Sequence, residues 1–222
     1  PRPGSSGSGE HSPRPGGLMD DRTLAELRSG AQVLGISLDS RLEQGLAAYL
    51  DLLQFWNRRI NLTSVRGPQA VVTKHFLDSL AVVPYLPPAA ATLLDVGSGG
   101  GFPGAVLAIA RPTLRVTLVE PVQKKAAFLR TLSRALSCAN MHVVAERIED
   151  VISKPGFAPV DIAISRATWA LPEWLPLGRT LVKPGGLVIG MEGALRYARP
   201  EGCRRVEVPT EGASRALVLC TV

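Results

Sequence analysis

From Leu38 to Arg59, apolar residues return every three or four positions: Leu42, Leu46, Tyr49, Leu53 and Trp56. That spacing predicts an amphipathic helix. A shorter one is expected from Leu18 to Gly35 on Leu24, Leu27 and Leu34, with Ser37 or Ser40 capping the next. A third is expected over Pro68–Val83, with Val71, Val72, Phe76 and Leu80 on its buried stripe and Pro84, Pro87 and Pro88 closing it.

After Ala91 the rhythm changes to alternating strands and helices. Strands are predicted at Thr92–Val96, Arg115–Glu120, Met141–Ala145, Asp161–Ser165 and Leu187–Met191. Helices fit between them at Gly104–Ala110, Gln123–Leu136, Ile148–Ile152 and Leu171–Leu181. Repeated β–α units point to a doubly wound, parallel sheet. Two further strands, Arg204–Val208 and Arg215–Val222, flank a Gly-containing turn and read as a terminal hairpin, so one of them runs antiparallel to its neighbour. The expectation is an α/β fold with a mostly parallel seven-stranded sheet over residues 91–222. A helical extension over 18–90 precedes it. Residues 1–17, PRPGSSGSGEHSPRPGG, cannot bury a core and are expected to form a disordered tail or linker.

Composition narrows the class. The chain has 222 residues, 45% of them hydrophobic and 20% charged, which is ordinary for a globular protein. No apolar run is long enough to cross a bilayer, and no signal-like segment is seen, so cytoplasmic residence is the default. Cys138, Cys203 and Cys220 are scattered and odd in number, reading as reduced thiols rather than disulfides. His11, His75 and His142 are too far apart for a local metal motif, and no metal is expected. The net charge of +6 favours an anionic partner, with RNA or DNA the obvious class, although an arginine-rich composition alone also gives such a charge.

The chemistry concentrates in Leu93-Leu94-Asp95-Val96-Gly97-Ser98-Gly99-Gly100-Gly101-Phe102-Pro103-Gly104. A strand entering a glycine-rich turn before a helix is how α/β proteins grip adenosine-type cofactors. Gly99 to Gly104 spells a dinucleotide motif, but Asp95 ahead of Gly97 gives an acid-x-Gly-x-Gly order that resembles motif I of S-adenosylmethionine (SAM) methyltransferases. Pro103 also removes a donor that a pyrophosphate would use. A tight turn without a ligand is the remaining alternative. Glu120, at the end of the second strand, is placed for ribose hydroxyls or is simply solvated. After the third strand, Ile148 and Glu149 suit an adenine face and edge, or Glu149 caps a helix. Arg166, at the exit of the fourth strand, faces the expected crevice or forms a structural ion pair.

Asn61-Leu62-Thr63, His75-Phe76-Leu77-Asp78-Ser79, Asp95-Val96-Gly97-Ser98-Gly99, Phe102-Pro103-Gly104 and Ile164-Ser165-Arg166-Ala167 together closely resemble the bacterial RsmG family, also called glucose-inhibited division protein B. The likeness runs from about Leu34 to the C-terminus. It implies a class I SAM-methyltransferase fold and methyl transfer to N7 of a guanine in 16S rRNA, free or in the small ribosomal subunit, by a monomer. It places cofactor contacts on Gly97, Phe102, Ile148, Glu149 and Arg166, with Asp95, Gly99 and Glu120 added by fold logic. Asn61, His75 and Arg166 match positions facing the active site, and Lys124 and Lys125 match a basic pair near the cleft. Guanine N7 carries a lone pair and no proton, so alignment is needed rather than a general base. One departure stands out: Glu192 occupies a place where the family usually has lysine, and Lys183, Arg196, Arg199, Arg204 or Arg205 is expected to compensate. The competing readings are a SAM methyltransferase for a small molecule or protein, and a non-catalytic RNA-binding protein of the same fold. An NAD-dependent oxidoreductase is the most distant alternative.

Overall fold

The computed structural model describes Gly17, residues 19–209 and residues 214–222. The tail expected over 1–17 lies outside these residues except for Gly17. Helix α1 spans Asp21–Val33, where Asp20 accepts from the Thr23 amide at 2.8 Å. Helix α2 spans Ser40–Asn57. Its cap is Asp39, which accepts from the Leu42 amide at 2.7 Å, and neither Ser37 nor Ser40 takes that role. An aspartate at the N-cap also offers a full negative charge to the helix dipole.

The helix expected over Pro68–Val83 is broken into turns of different pitch. Helix α3 (Pro68–Val71) passes into a π-helical segment, Val72–Leu77, then α4 (Asp78–Leu80) and a 3-10 turn at Val83–Tyr85. Hydrophobic spacing does not reveal a π segment, because one extra residue per turn leaves the buried stripe nearly in place. Such segments gather at functional sites, and this one carries Lys74 and His75.

The strands are β1 (Thr92–Val96), β2 (Arg115–Val119), β3 (Met141–Val144), β4 (Val160–Arg166), β5 (Val182–Glu192), β6 (Cys203–Val208) and β7 (Arg215–Thr221). Helices α5 (Gly104–Ala110), α6 (Gln123–Ala135), α7 (Ile148–Ser153) and α8 (Leu171–Leu181) join the first five. The sheet order is β3-β2-β1-β4-β5-β7-β6. Strands β1 to β5 pair in parallel, and β7 is the reversed strand, antiparallel to both β5 and β6. The terminal hairpin is therefore present, inserted with its second strand innermost. Strand β5 starts five residues earlier than expected, directly from α8, with a register shift between Val160 and Ile162 on its neighbour.

Two apolar layers sandwich the sheet. One is continuous from Leu27 and Tyr49 of the helical extension through Leu107 and Phe128 to Leu217 of β7. The other packs α8, through Trp174 and Leu175, over Leu94, Ala163 and Val188. The cysteine expectation is corrected on this second face. Cys203 and Cys220 are direct cross-strand partners on β6 and β7, with Cα atoms 4.4 Å apart, and form a disulfide. Strand register, which cysteine counting does not see, brings them together. Cys138 is a free thiol.

Candidate functional site

The chain reverses direction across the sheet between β1 and β4, and ligands meet such folds at the carboxyl ends of those strands. Here β1 runs into the glycine loop, where Gly97, Gly99 and Gly101 hold φ of 75°, 58° and 97°. A Cβ at Gly104 would lie 2.4 Å from Leu118 and 2.6 Å from Asp95, so only glycine lets α5 start this close to the sheet. The Gly97 and Ser98 amides donate to the Val119 carbonyl at 2.9 and 3.1 Å, stitching the loop to β2. The Phe102–Pro103 peptide is cis.

Asp95 is fully buried under the loop. Its Oδ2 accepts from the Gly104 amide at 2.9 Å, while Oδ1 has no partner among the described residues. Burial pushes its carboxyl up to about 7, against the pull of the Gly104 amide. Glu120 is also buried, not solvated. It accepts from the Gly99 amide at 2.8 Å and from the Val122 amide at 2.9 Å. Both acids thus brace the glycine loop from below.

A second layer comes from the helical extension. The Tyr49 hydroxyl of α2 donates to the Gly100 carbonyl at 2.5 Å, and its ring stacks on Phe102 at 5.2 Å. Phe102 also stacks on His75 at 4.3 Å. Asn57, the last residue of α2, holds the following turn: its Oδ1 accepts from the Leu62 and Thr63 amides and its Nδ2 donates to the Thr63 carbonyl.

Arg166 joins these parts. Its Nη1 donates to the Lys74 carbonyl at 3.1 Å, and Nη2 lies 3.0 Å from His75 Nδ1. Its guanidinium stands over the Phe102 ring at 5.2 Å, and Asp78 Oδ2 is 4.0 Å away. The same Asp78 oxygen receives Arg215 at 3.0 Å. His75 Nε2 is 2.7 Å from Thr63 Oγ1. Burial, then the Arg166 charge, lowers the His75 pKa to about 3. His75 is therefore a neutral, fully hydrogen-bonded ring, unsuited to taking a proton.

These groups line a cavity of about 930 Å³. Of the residues expected from sequence, His75, Gly97, Gly99, Phe102, Glu120 and Arg166 share its wall, as does Lys125. Asp95 lies beneath the wall. Asn61, Ile148, Glu149 and Lys124 do not line it. Asn61 and Lys124 are exposed, Ile148 is packed with Val96 and Val119, and Glu149 is exposed in the first turn of α7. Sequence reasoning missed Thr63, Trp169 and Arg215 on the cavity wall. Thr63 stood inside a quoted motif, whereas Arg215 gave no signal beyond opening the last strand.

The residues fit an adenosine-type cofactor with a cationic amino-acid tail. The glycine floor leaves backbone open, the spare lone pairs of Glu120 on the wall supply acceptors, and the volume suits a drug-sized ligand plus a base. Among the described residues no group of three His, Cys, Asp or Glu side chains is placed to hold a metal. No helix of the described residues is long and apolar enough to cross a membrane. Glu192 turns inward, where Arg205 Nε and Nη2 reach its two oxygens at 2.8 and 3.2 Å and the Tyr197 amide adds a third bond.

Residues 42–206 match the family model GidB, described as rRNA small subunit methyltransferase G. A curated protein from Methylobacillus flagellatus, named Ribosomal RNA small subunit methyltransferase G, is 45% identical over 77% of this chain and 80% of its own. One of the same name from Burkholderia pseudomallei is 42% identical over 87% of this chain and 89% of its own. Among solved structures, an O-methyltransferase from Bacillus cereus, in complex with SAH, shares the fold with a TM-score of 0.59 and 18% identity. The likeness covers 89% of this chain and 97% of the other.

Proposed function

The chain belongs to the GidB family of small-subunit rRNA methyltransferases, and on that premise we propose that it transfers the methyl group of SAM to N7 of a guanine in 16S rRNA. The observation that carries the reading is the pairing, in one cavity, of a braced glycine loop with a wall whose histidine, His75, is neutral and hydrogen-bonded at both ring nitrogens.

Asp95, Gly97, Gly99 and Glu120 hold the cofactor: Glu120 through its free acceptor positions, the glycines by letting backbone approach closely, and Asp95 by bracing the loop from beneath. Ile148 and Glu149, at the exit of β3, are assigned to the adenine, although the cavity wall on that side ends at Pro121 and Lys125. When bound, SAM supplies an electrophilic methyl group on a sulfonium. The protein's task is then alignment and exclusion of water, because an N7 lone pair needs no deprotonation. Arg166 fixes the His75 plane and, with His75, forms the wall against which the base is set. Phe102, stacked on Tyr49 and His75, positions that wall rather than offering a free face. Asn61, exposed beside Leu62, is assigned to RNA outside the cavity.

RNA reaches the mouth across cations that no acid neutralises among the described residues. Arg58 and Arg59 lie over Phe55 at the end of α2, Arg66 follows in the next turn, and Lys125 enters the wall from α6. The enzyme acts as a cytoplasmic monomer on the RNA of the small subunit, with residues 18–90 as a helical extension of a methyltransferase domain over 91–222. The test is transfer of labelled methyl from SAM to small ribosomal subunits lacking the mark, read as 7-methylguanosine. Methyl transfer to protein or to a small molecule with none to these particles would overturn the reading.

A further inference from the structure

The cavity wall is built from two sides of the sheet. The glycine loop after β1 and Glu120 after β2 form one side, and residues after β4 and β5 form the other. That second side carries the rings of Trp169, Trp174 and Tyr197. The path of the chain into it is constrained. Beyond Arg166, Ala167 holds φ at 57°, a left-handed conformation that a residue with a Cβ adopts at a cost. Thr168 Oγ1 then lies 3.3 Å from the Gly97 carbonyl oxygen, which ties the turn to the glycine loop. Trp169 follows at once, half-buried on the wall, with no side-chain hydrogen bond among the described residues. Its ring stacks on Trp174 with centroids 5.9 Å apart and planes 22° from parallel. Trp174 is 2% exposed, and its Nε1 donates to the Ile189 carbonyl at 2.9 Å, so the backing ring is fixed. A bulky indole is thus held from behind, beside the cofactor loop, with its remaining surface toward the cavity.

Such a surface suits a nucleobase, since bases taken out of a stack are held on aromatic side chains. Of the other rings on the wall, Phe102 is already stacked by Tyr49 and His75. Trp169 differs from Tyr197 in following directly on the residue that touches the loop. We infer that the Trp169 indole is the face on which the target guanine lies while N7 takes the methyl group. N7 forms the new bond to the methyl carbon with its own lone pair, and the electrons of the breaking carbon–sulfur bond stay on sulfur. The positive charge that leaves the sulfonium spreads over the imidazole ring of the base. The acids on this side of the wall are already met, Asp78 by Arg215 and Arg166, and Glu192 by Arg205. The electron-rich face of an indole attracts a cation, and does so more strongly than a phenyl ring. Trp169 therefore favours the charged base over the neutral one, and its effect grows along the reaction. The inference rests on the proposed methylation of guanine N7 and names the surface that receives the base.

The experiment compares wild type, Trp169→Phe and Trp169→Leu with protein carrying mono-, di- and trifluorinated tryptophan at position 169 alone. Fluorine drains charge from the ring face and barely alters its shape. The rate read is single-turnover formation of 7-methylguanosine on saturating small ribosomal subunits lacking the mark. S-adenosylhomocysteine affinity, by calorimetry, and Tm are measured beside it. Trp169→Leu should slow the step about 5- to 30-fold. Trp169→Phe should fall between, and each added fluorine should slow the step further. S-adenosylhomocysteine affinity should be unchanged throughout, and the fluorinated proteins should keep the wild-type Tm. A ring that only packs the wall would give a rate that follows Tm and ignores fluorine. That indifference, a Trp169→Leu rate equal to wild type, or a loss of S-adenosylhomocysteine affinity matching the loss of rate, would overturn the inference. If wild type binds S-adenosylhomocysteine yet makes no 7-methylguanosine on these particles, the proposed reaction itself fails, and the inference with it.

Discussion

Arg166 Nη2 and His75 Nδ1 meet at 3.0 Å, and both side chains reach the same Lys74 carbonyl, Nη1 at 3.1 Å and Nδ1 at 2.9 Å. Arg166 comes from the exit of β4 and His75 from the π-helical segment. Their meeting joins the sheet to the helical extension at the cavity wall.

Replacing Arg166 by lysine should keep the charge and lose the two-pronged bond to Lys74 and His75. A fall of about 10- to 100-fold in kcat is expected, with S-adenosylhomocysteine binding much less affected. A nitrogen NMR spectrum of His75 showing one tautomer in wild type and a mixture in the variant would tie the loss to ring orientation.

Glu192 and Arg205 form a pair whose acid is 3% exposed. Glu192→Lys, which restores the family's usual residue, leaves Arg205 beside a second cation and should destabilise the fold by about 3–5 kcal/mol. The double variant Glu192→Lys/Arg205→Glu should recover much of this, as read from urea midpoints. The residue is therefore an anchor on the cavity wall, its charge met by Arg205.

Tyr49→Phe deletes the bond to the Gly100 carbonyl inside a buried site. The cost should be about 1–3 kcal/mol, seen as a fall in Tm of a few degrees. S-adenosylhomocysteine affinity should fall as well, although Tyr49 does not line the cavity, because the glycine loop loses its outer brace.

Two buried groups tilt stability in opposite directions with pH. Burial holds the His75 pKa at about 3 against an ordinary 6.5. The unfolded chain therefore takes up a proton that the native state refuses, and this contribution is whole above 6.5 and lost as pH falls towards 3. Burial pushes Asp95 up to about 7 from 3.8, so its contribution is whole below 3.8 and lost as pH rises to 7. Wild type should show a shallow dependence between pH 4 and 6.5. In Asp95→Asn, stability should rise with pH there, and in His75→Gln it should fall, each by up to ~1.4 kcal/mol per pH unit. Parallel curves for the two variants in urea titrations would contradict the assignment.

Methylation of RNA should weaken with salt, the logarithm of kcat/KM falling linearly with the logarithm of salt concentration. Arg58→Ala, Arg59→Ala and Lys125→Ala should each make that slope shallower by about one and raise KM. Turnover at saturating RNA should move little for the two arginines.

Most of the sheet was legible because strand and helix periods differ and β1, α5 and α8 end at glycine or proline signals. The glycine loop and Glu120 were legible because their chemistry is local in sequence. What stayed hidden depends on distance. The π segment barely disturbs the apolar stripe, Asp39 rather than a serine caps α2, and Cys203 meets Cys220 only through strand register. The wall residues Thr63 and Arg215 come from opposite ends of the chain.

The bond from Tyr49 to the Gly100 carbonyl carries a thermodynamic obligation. Whatever amount a bound ligand adds to the docking of α2 against the sheet, that docking must add in equal measure to the binding of the ligand. The two events are halves of one equilibrium, and a measurement at either end reports on the other.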